Sequence, residues 1–91
     1  GIKEAVANHY NISISDFSTK KRTRNIAFPR QVAMYLCRKL TDLSLPQIGS
    51  AFGGRDHTTV MHACSKIESQ IEEDPDVART INELTKKIIE R

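Results

Sequence analysis

The chain has 91 residues, 38% of them hydrophobic, with two cysteines and a mean hydropathy of −0.44. That length holds one domain with a thin core, burying roughly 60–65% of the surface its unfolded form exposes, and no apolar run nears the roughly 18 residues of a bilayer span, nor is a signal peptide visible. The net charge of +3 hides a division: residues 1–66 carry ten bases against four acids, and residues 67–91 carry four against seven.

Ile2 to Tyr10 reads as a short amphipathic helix, with Ile2, Ala5, Val6 and His9 at helical spacing. A chain that opens on such a helix suggests a piece of a longer protein. Asn11 is a stop signal, and Ser13-Ile14-Ser15-Asp16-Phe17 reads as a capped turn or one-turn helix. Residues 18–25 contain no hydrophobic side chain and should form an exposed basic loop. From Ser18 to Lys39 there are seven bases and no acid. One-sided basicity of this kind fits a polyanion partner, although a solvated loop produces the same run.

Pro29 fits the first turn of a helix running to about Asp42. At 100° per residue from Val32, Leu36, Leu40 and Leu43 fall within about 80° of one another, while Arg30, Gln31, Met34 and Arg38 lie on the other side at about 160–260°. The spacing thus predicts an apolar face and an opposite, basic one. Ser44 is a good N-cap with Pro46 just inside, opening a short helix to Phe52. Gly49 in its middle costs roughly 1 kcal/mol relative to alanine, which a close helix–helix crossing would explain.

Gly53-Gly54 offers the positive φ a sharp turn requires. The turn is slightly longer than the tightest helix-turn-helix version, because the apolar phase resumes only at Val60. The next helix, from about Asp56 to Asp74, places Cys64, Ile67 and Ile71 within about 40° of Val60. Thr58, Thr59, His62, Ser65, Lys66 and Ser69 fall on its far side. Small hydrogen-bonding side chains replace the Glu and Lys of an ordinary solvated face. Acids appear only from Glu68 onward. Asp74-Pro75-Asp76 breaks the helix, and a last one, about Val77 to Ile89, reads as a core-closing brace whose charges suit its dipole.

The fold class is therefore all-α: a single domain over residues 1–91, a small multi-helix unit of the TrpR-like kind with a helix-turn-helix at about 44–74. In DNA-binding versions the first turns of the second helix read base edges in the major groove. Catalysis finds no constellation: His62 and Cys64 lie about 160° apart on one helix. No Cys-x-x-Cys pair or one-faced His-x-x-x-His suggests zinc, and no phosphate loop suggests nucleotide hydrolysis. Cys37 and Cys64 fall at interior positions, give no disulfide framework and point to a reducing cytosol. A protein-interaction module explains the charge but not the Thr/His-rich first turn. Single-stranded nucleic acid lacks a stacking platform, and a transcription repressor would need an effector pocket or dimer helix. Asp56 is the awkward residue, open both to helix capping and to accepting from cytosine N4.

The run Phe52-Gly-Gly-Arg-Asp-His-Thr-Thr-Val-Met-His-Ala-Cys64 closely resembles the signature of the bacterial chromosomal replication initiator DnaA, in its C-terminal DNA-binding domain. The resemblance extends to Lys20-Lys21-Arg22-Thr23-Arg24, Pro29-Arg30-Gln31 and Ser44-Leu45-Pro46-Gln47-Ile48-Gly49. It implies sequence-specific binding of double-stranded DnaA boxes at a replication origin, positioning the initiator for unwinding, and transcription control at such boxes. It implies bases facing Asp56, His57, Thr58 and Thr59 in the major groove and Arg22 in the adjacent minor groove. Arg24, Arg30, Gln31, Arg38, Pro46, Arg55 and Lys66 would follow the DNA backbone. Met61 stands where relatives often carry leucine, and Arg38 where they often carry lysine. The fragment itself would be non-enzymatic and need no cofactor or metal. ATP or ADP would belong to an upstream AAA+ module, as would self-assembly, with acidic phospholipid contact in the full-length protein. One domain would bind one site as a monomer, in the cytoplasm at the nucleoid.

Overall fold

Ser44 and Asp56, the two polar residues that precede apolar-periodic runs, each begin a helix in the computed structural model, which describes residues 1–90. Those residues form α1 (Ile2–Tyr10), a 3-10 helix (Ile14–Ser18), α2 (Arg24–Leu40), α3 (Leu45–Ala51), α4 (His57–Glu73) and α5 (Pro75–Ile89), with no strand among them. Asn11 ends α1 in the left-handed conformation, at φ 57 and ψ 46. Ser44 closes a reciprocal capping box: its Oγ accepts from the Gln47 amide at 3.2 Å, and its own amide donates to Gln47 Oε1 at 2.8 Å. Asp74 ends α4 and caps α5 through the Asp76 amide at 2.9 Å, so Pro75 is the first residue of α5 rather than a break before it.

Helix α2 departs from the sequence-based expectation twice. It starts at Arg24, so Arg24 and Asn25 leave the basic loop and Pro29 sits inside the helix. An interior proline loses one backbone hydrogen bond and costs about 3 kcal/mol. Burial offsets this cost, since Ile26 and Pro29 are both buried and Phe28 packs edge-on against Tyr10 at 6.2 Å. Each such apolar burial contributes roughly 1.5–3 kcal/mol. Nor is the basic side of α2 uniformly open: Arg38 is exposed there, but Arg30 is buried. Residues 32–37 are all buried, including Met34 at 1% exposure on the side expected to be basic. The reason is position: α2 is the hub, touched by α1, the 3-10 helix, α3 and α4.

The core is one cluster in which Val6, Phe17, Val32, Leu36, Ile48, Phe52, Val60, Ile67 and Leu84 are fully buried. Phe17 and Phe52 meet with ring centroids 5.8 Å apart, joining the 3-10 helix to the end of α3. Helix α5 lies across α1 and α4, with Ile81 and Leu84 inward, which is the brace its periodicity predicts. Lys3 ties α1 to the same corner, its ammonium 4.8 Å from the Phe52 ring centroid and donating to the Ala51 carbonyl.

Residues 52–56 turn the chain from α3 into α4, with Gly53 at φ 84 and Gly54 at φ 77. The need for Gly49 comes from this turn and not from a helix crossing. Its carbonyl accepts from the amides of Phe52, Gly54 and Arg55 at 3.1, 3.1 and 2.9 Å. A side chain at position 49 would collide with the Arg55 carbonyl. The turn is folded flat onto α3, which fixes the direction in which α4 leaves.

Candidate nucleic-acid interface

The first turn of α4 is set by Asp56. Its Oδ1 accepts from the Thr58 amide at 3.4 Å and lies 3.1 Å from His57 Nδ1. Its other carboxylate oxygen has no partner among the described residues, and the side chain is 67% exposed. Capping and outward presentation therefore coexist in this one residue. A hydrogen bond from Nδ1 would leave Nε2 of a neutral His57 as an outward acceptor. Thr59 and His62 follow on the exposed surface, Thr58 is half-buried, and Met61, one turn after His57, is 44% exposed.

Helix α4 crosses α2 so that Thr59, His62 and Lys66 border a cleft of about 270 Å³ whose opposite wall is Arg30 and Gln31 and whose floor includes Met34 and Ala63. Through Arg30, Gln31, Arg55 and Thr59 it continues into a second cleft of about 630 Å³ that reaches Lys20 and Arg22. One groove thus runs from the basic segment to Lys66. Gln31 Oε1 is buried in it without a hydrogen-bond partner. An orphaned acceptor of this kind costs about 1–3 kcal/mol until a donor meets it or the amide turns.

The basic segment is not a free loop. Thr19 Oγ1 donates to the Asp16 carbonyl at 2.9 Å, and Lys21 Nζ lies 3.5 Å from Asp16 Oδ1. Thr19 is extended, at φ −86 and ψ 169. Side chains alternate along an extended chain: Thr19 and Lys21 turn back to Asp16, while Lys20 and Arg22 border the groove.

Arg30 and Arg55 have internal partners that the sequence leaves invisible. Arg30 is the one charged side chain buried among the described residues, at 9% exposure. It donates to the Thr19 carbonyl at 3.3 Å and the Lys21 carbonyl at 3.0 Å. Arg55 donates to the Phe17 carbonyl at 3.1 Å and also to those of Phe52 and Thr19. Burial, then the nearby charges of Arg55 and Arg22, hold the Arg30 guanidinium below its usual range, and burial does the same for Arg55. Three like charges thus converge on this part of the groove, an arrangement an anion would relieve.

Of the other expected contacts, Arg22, Arg24, Arg38, Pro46 and Lys66 are exposed. Arg24 lies over the Phe28 ring at 5.1 Å, on the α1 side of α2, next to a smaller cleft with Tyr10. Both cysteines are buried, and burial pushes the Cys37 thiol up to about 11 and Cys64 in the same direction. No described cluster of three His, Cys, Asp or Glu could hold a metal ion, and no described helix is long and apolar enough to cross a membrane.

Residues 1–67 match the family described as bacterial DnaA protein helix-turn-helix. The chain belongs to that family. The match spans α1 through the first turns of α4, so the whole groove lies inside it, and only the end of α4 and α5 lie beyond. A DnaA helix-turn-helix binds double-stranded DNA in replication initiation, and the all-helical fold agrees with that membership.

Proposed function

We propose that this domain recognises DnaA boxes in duplex DNA at a replication origin, one domain per site, and so positions the initiator for unwinding. The observation that carries this reading is the capped first turn of α4, in which Asp56, His57 and Thr59 are exposed and Thr59 lines the same groove as Arg22. Asp56, His57, Thr58 and Thr59 meet base edges in the major groove, where threonine methyls suit thymine and a carboxylate suits cytosine N4. Met61 adds an apolar contact one turn on. Arg22 enters the neighbouring minor groove, whose narrow AT-rich stretches attract arginine. Arg24, Gln31, Arg38, Pro46 and Lys66 follow the phosphates and set affinity and salt dependence.

The isolated domain performs no catalysis and needs no cofactor. ATP or ADP binding and self-assembly belong to upstream modules of the full-length protein, which acts in the cytoplasm at the nucleoid. The same boxes give it a hand in transcription, and acidic phospholipid touches the full-length protein. The test is fluorescence anisotropy against a DnaA-box duplex and a base-scrambled duplex across a salt series. Tighter binding to the box at every salt concentration supports sequence reading. Equal binding to both duplexes reduces the domain to a charge-driven DNA binder, and salt-independent failure to bind either would favour a protein-interaction module.

A further inference from the structure

We propose that Arg55 is a positioning residue that latches the basic segment onto the helix-turn-helix turn and so sets the direction of Arg22. This rests on the two-groove reading above. The observation is a set of bonds that no local sequence rule requires. Arg55 sits in the turn just before α4, yet its guanidinium reaches the carbonyls of Phe17 and Thr19, 38 and 36 positions away. It also takes the Phe52 carbonyl in its own turn. Arg30 holds the Thr19 carbonyl from α2 and adds that of Lys21. The turn and the segment also touch directly, since a side chain at Gly53 would lie 2.7 Å from the Ser18 carbonyl oxygen.

The carbonyls of residues 17, 19 and 21 are alternate groups of the chain. Arg30 pins the carbonyls of residues 19 and 21 and so fixes the phase of the segment between them, while Arg55 ties Thr19, and Phe17 before it, to the turn. Slipping that phase by one residue would turn Thr19 and Lys21 toward the groove and Lys20 and Arg22 away from it. Arg30 sets that phase and Arg55 holds the phased segment against the turn, so the two together present Arg22 to the groove beside α4. A single lysine ammonium cannot reproduce it, because three carbonyls on two sides need the planar fork of a guanidinium. A phosphate contact makes a different demand, which any positive charge meets in part.

The test combines Arg55→Ala and Arg55→Lys with Arg22→Ala and His57→Ala, titrated against the box and scrambled duplexes. With the latch, both Arg55 variants bind the box about tenfold or more weakly. In their background Arg22→Ala costs little further, while His57→Ala still costs its full factor. Recovery of wild-type box affinity by Arg55→Lys, or a full additional loss from Arg22→Ala, would overturn the latch and leave Arg55 as a phosphate contact. Hydrogen exchange supplies a readout without DNA: the amides of Thr19 and Lys21, which donate to the Asp16 carbonyl and the Thr19 hydroxyl, exchange faster in Arg55→Lys while those of α4 keep their protection. Should Arg55→Ala fail to fold, Arg55→Lys carries both measurements, and unchanged protection in it counts against the latch. If the wild-type domain does not distinguish box from scrambled duplex, the two-groove reading fails, and exchange alone decides whether the latch exists.

Discussion

The first turn of α4, through Thr59, and the basic segment before α2, through Lys20 and Arg22, meet at one groove, but different forces hold them in shape. Asp56 caps α4 from within the local chain, and Val60, Cys64 and Ile67 seat the helix on the core. The segment from Thr19 to Thr23 has no helix of its own and owes its course to Asp16, Arg30 and Arg55. Local capping makes the first grip robust to changes elsewhere in the chain. Long-range arginine bonds make the second grip conditional on the turn that feeds the first. The comparison teaches that two contacts with one ligand can be equally well placed and unequally independent.

The largest effect should come from the residue that supports both. Gly49→Ala drives a methyl group onto the Arg55 carbonyl and should cost about 3 kcal/mol. For a domain of this size that lowers Tm by roughly 12–24 °C, measurable by circular dichroism, with both grips lost together. Separating them comes next. His57→Ala or Thr58→Ala should cost about 1–3 kcal/mol on the box and relax preference at one position, with Tm nearly unchanged. Equal losses on box and scrambled duplexes would sink the base-reading role of that side chain.

Smaller again, Ser44→Ala removes the capping box of α3 and should lower stability by about 1 kcal/mol, seen in a urea melt as a shifted midpoint at constant slope. Lys66→Ala should weaken both duplexes alike and reduce the slope of log K against log salt by about 1. A loss confined to the box would move Lys66 from the phosphates to the bases. The smallest effect expected is none at all. With Cys37 pushed up to about 11, an alkylating agent at pH 8 should leave that thiol unmodified in the folded domain, and rapid native labelling would contradict its buried setting.

Much of the site was legible because its signals are local. Ser44, Pro46, Asp56, Gly53 and Gly54 act on their immediate neighbours, and the helices begin and turn where these residues stand. The face of α4 was legible too, since one helix against one core obeys its wheel. Helix α2 was not, because a hub is covered from several sides and Met34 has no solvent side to occupy. Its start is hidden because Pro29 suits a first turn, while the buried Ile26 upstream follows a run of polar residues and marks no helical period. Arg30 and Arg55 look like surface bases in the sequence. Their partners are main-chain carbonyls, which every residue has and no residue type advertises.

The division of charge along the chain has a consequence for how the domain arrives. Helix α4 has its Asp56-capped first turn at one end and Glu72, Glu73 and Asp74 at the other, about 25 Å apart at 1.5 Å per residue. At physiological salt that span is about three screening lengths, so the acids scarcely oppose a bound duplex. In dilute salt the screening length grows to about 30 Å, and both ends feel the polyanion at once. The division of charge then gives a torque that turns the basic end of the domain toward the duplex before contact, so collisions that begin in the wrong orientation are corrected in flight rather than wasted.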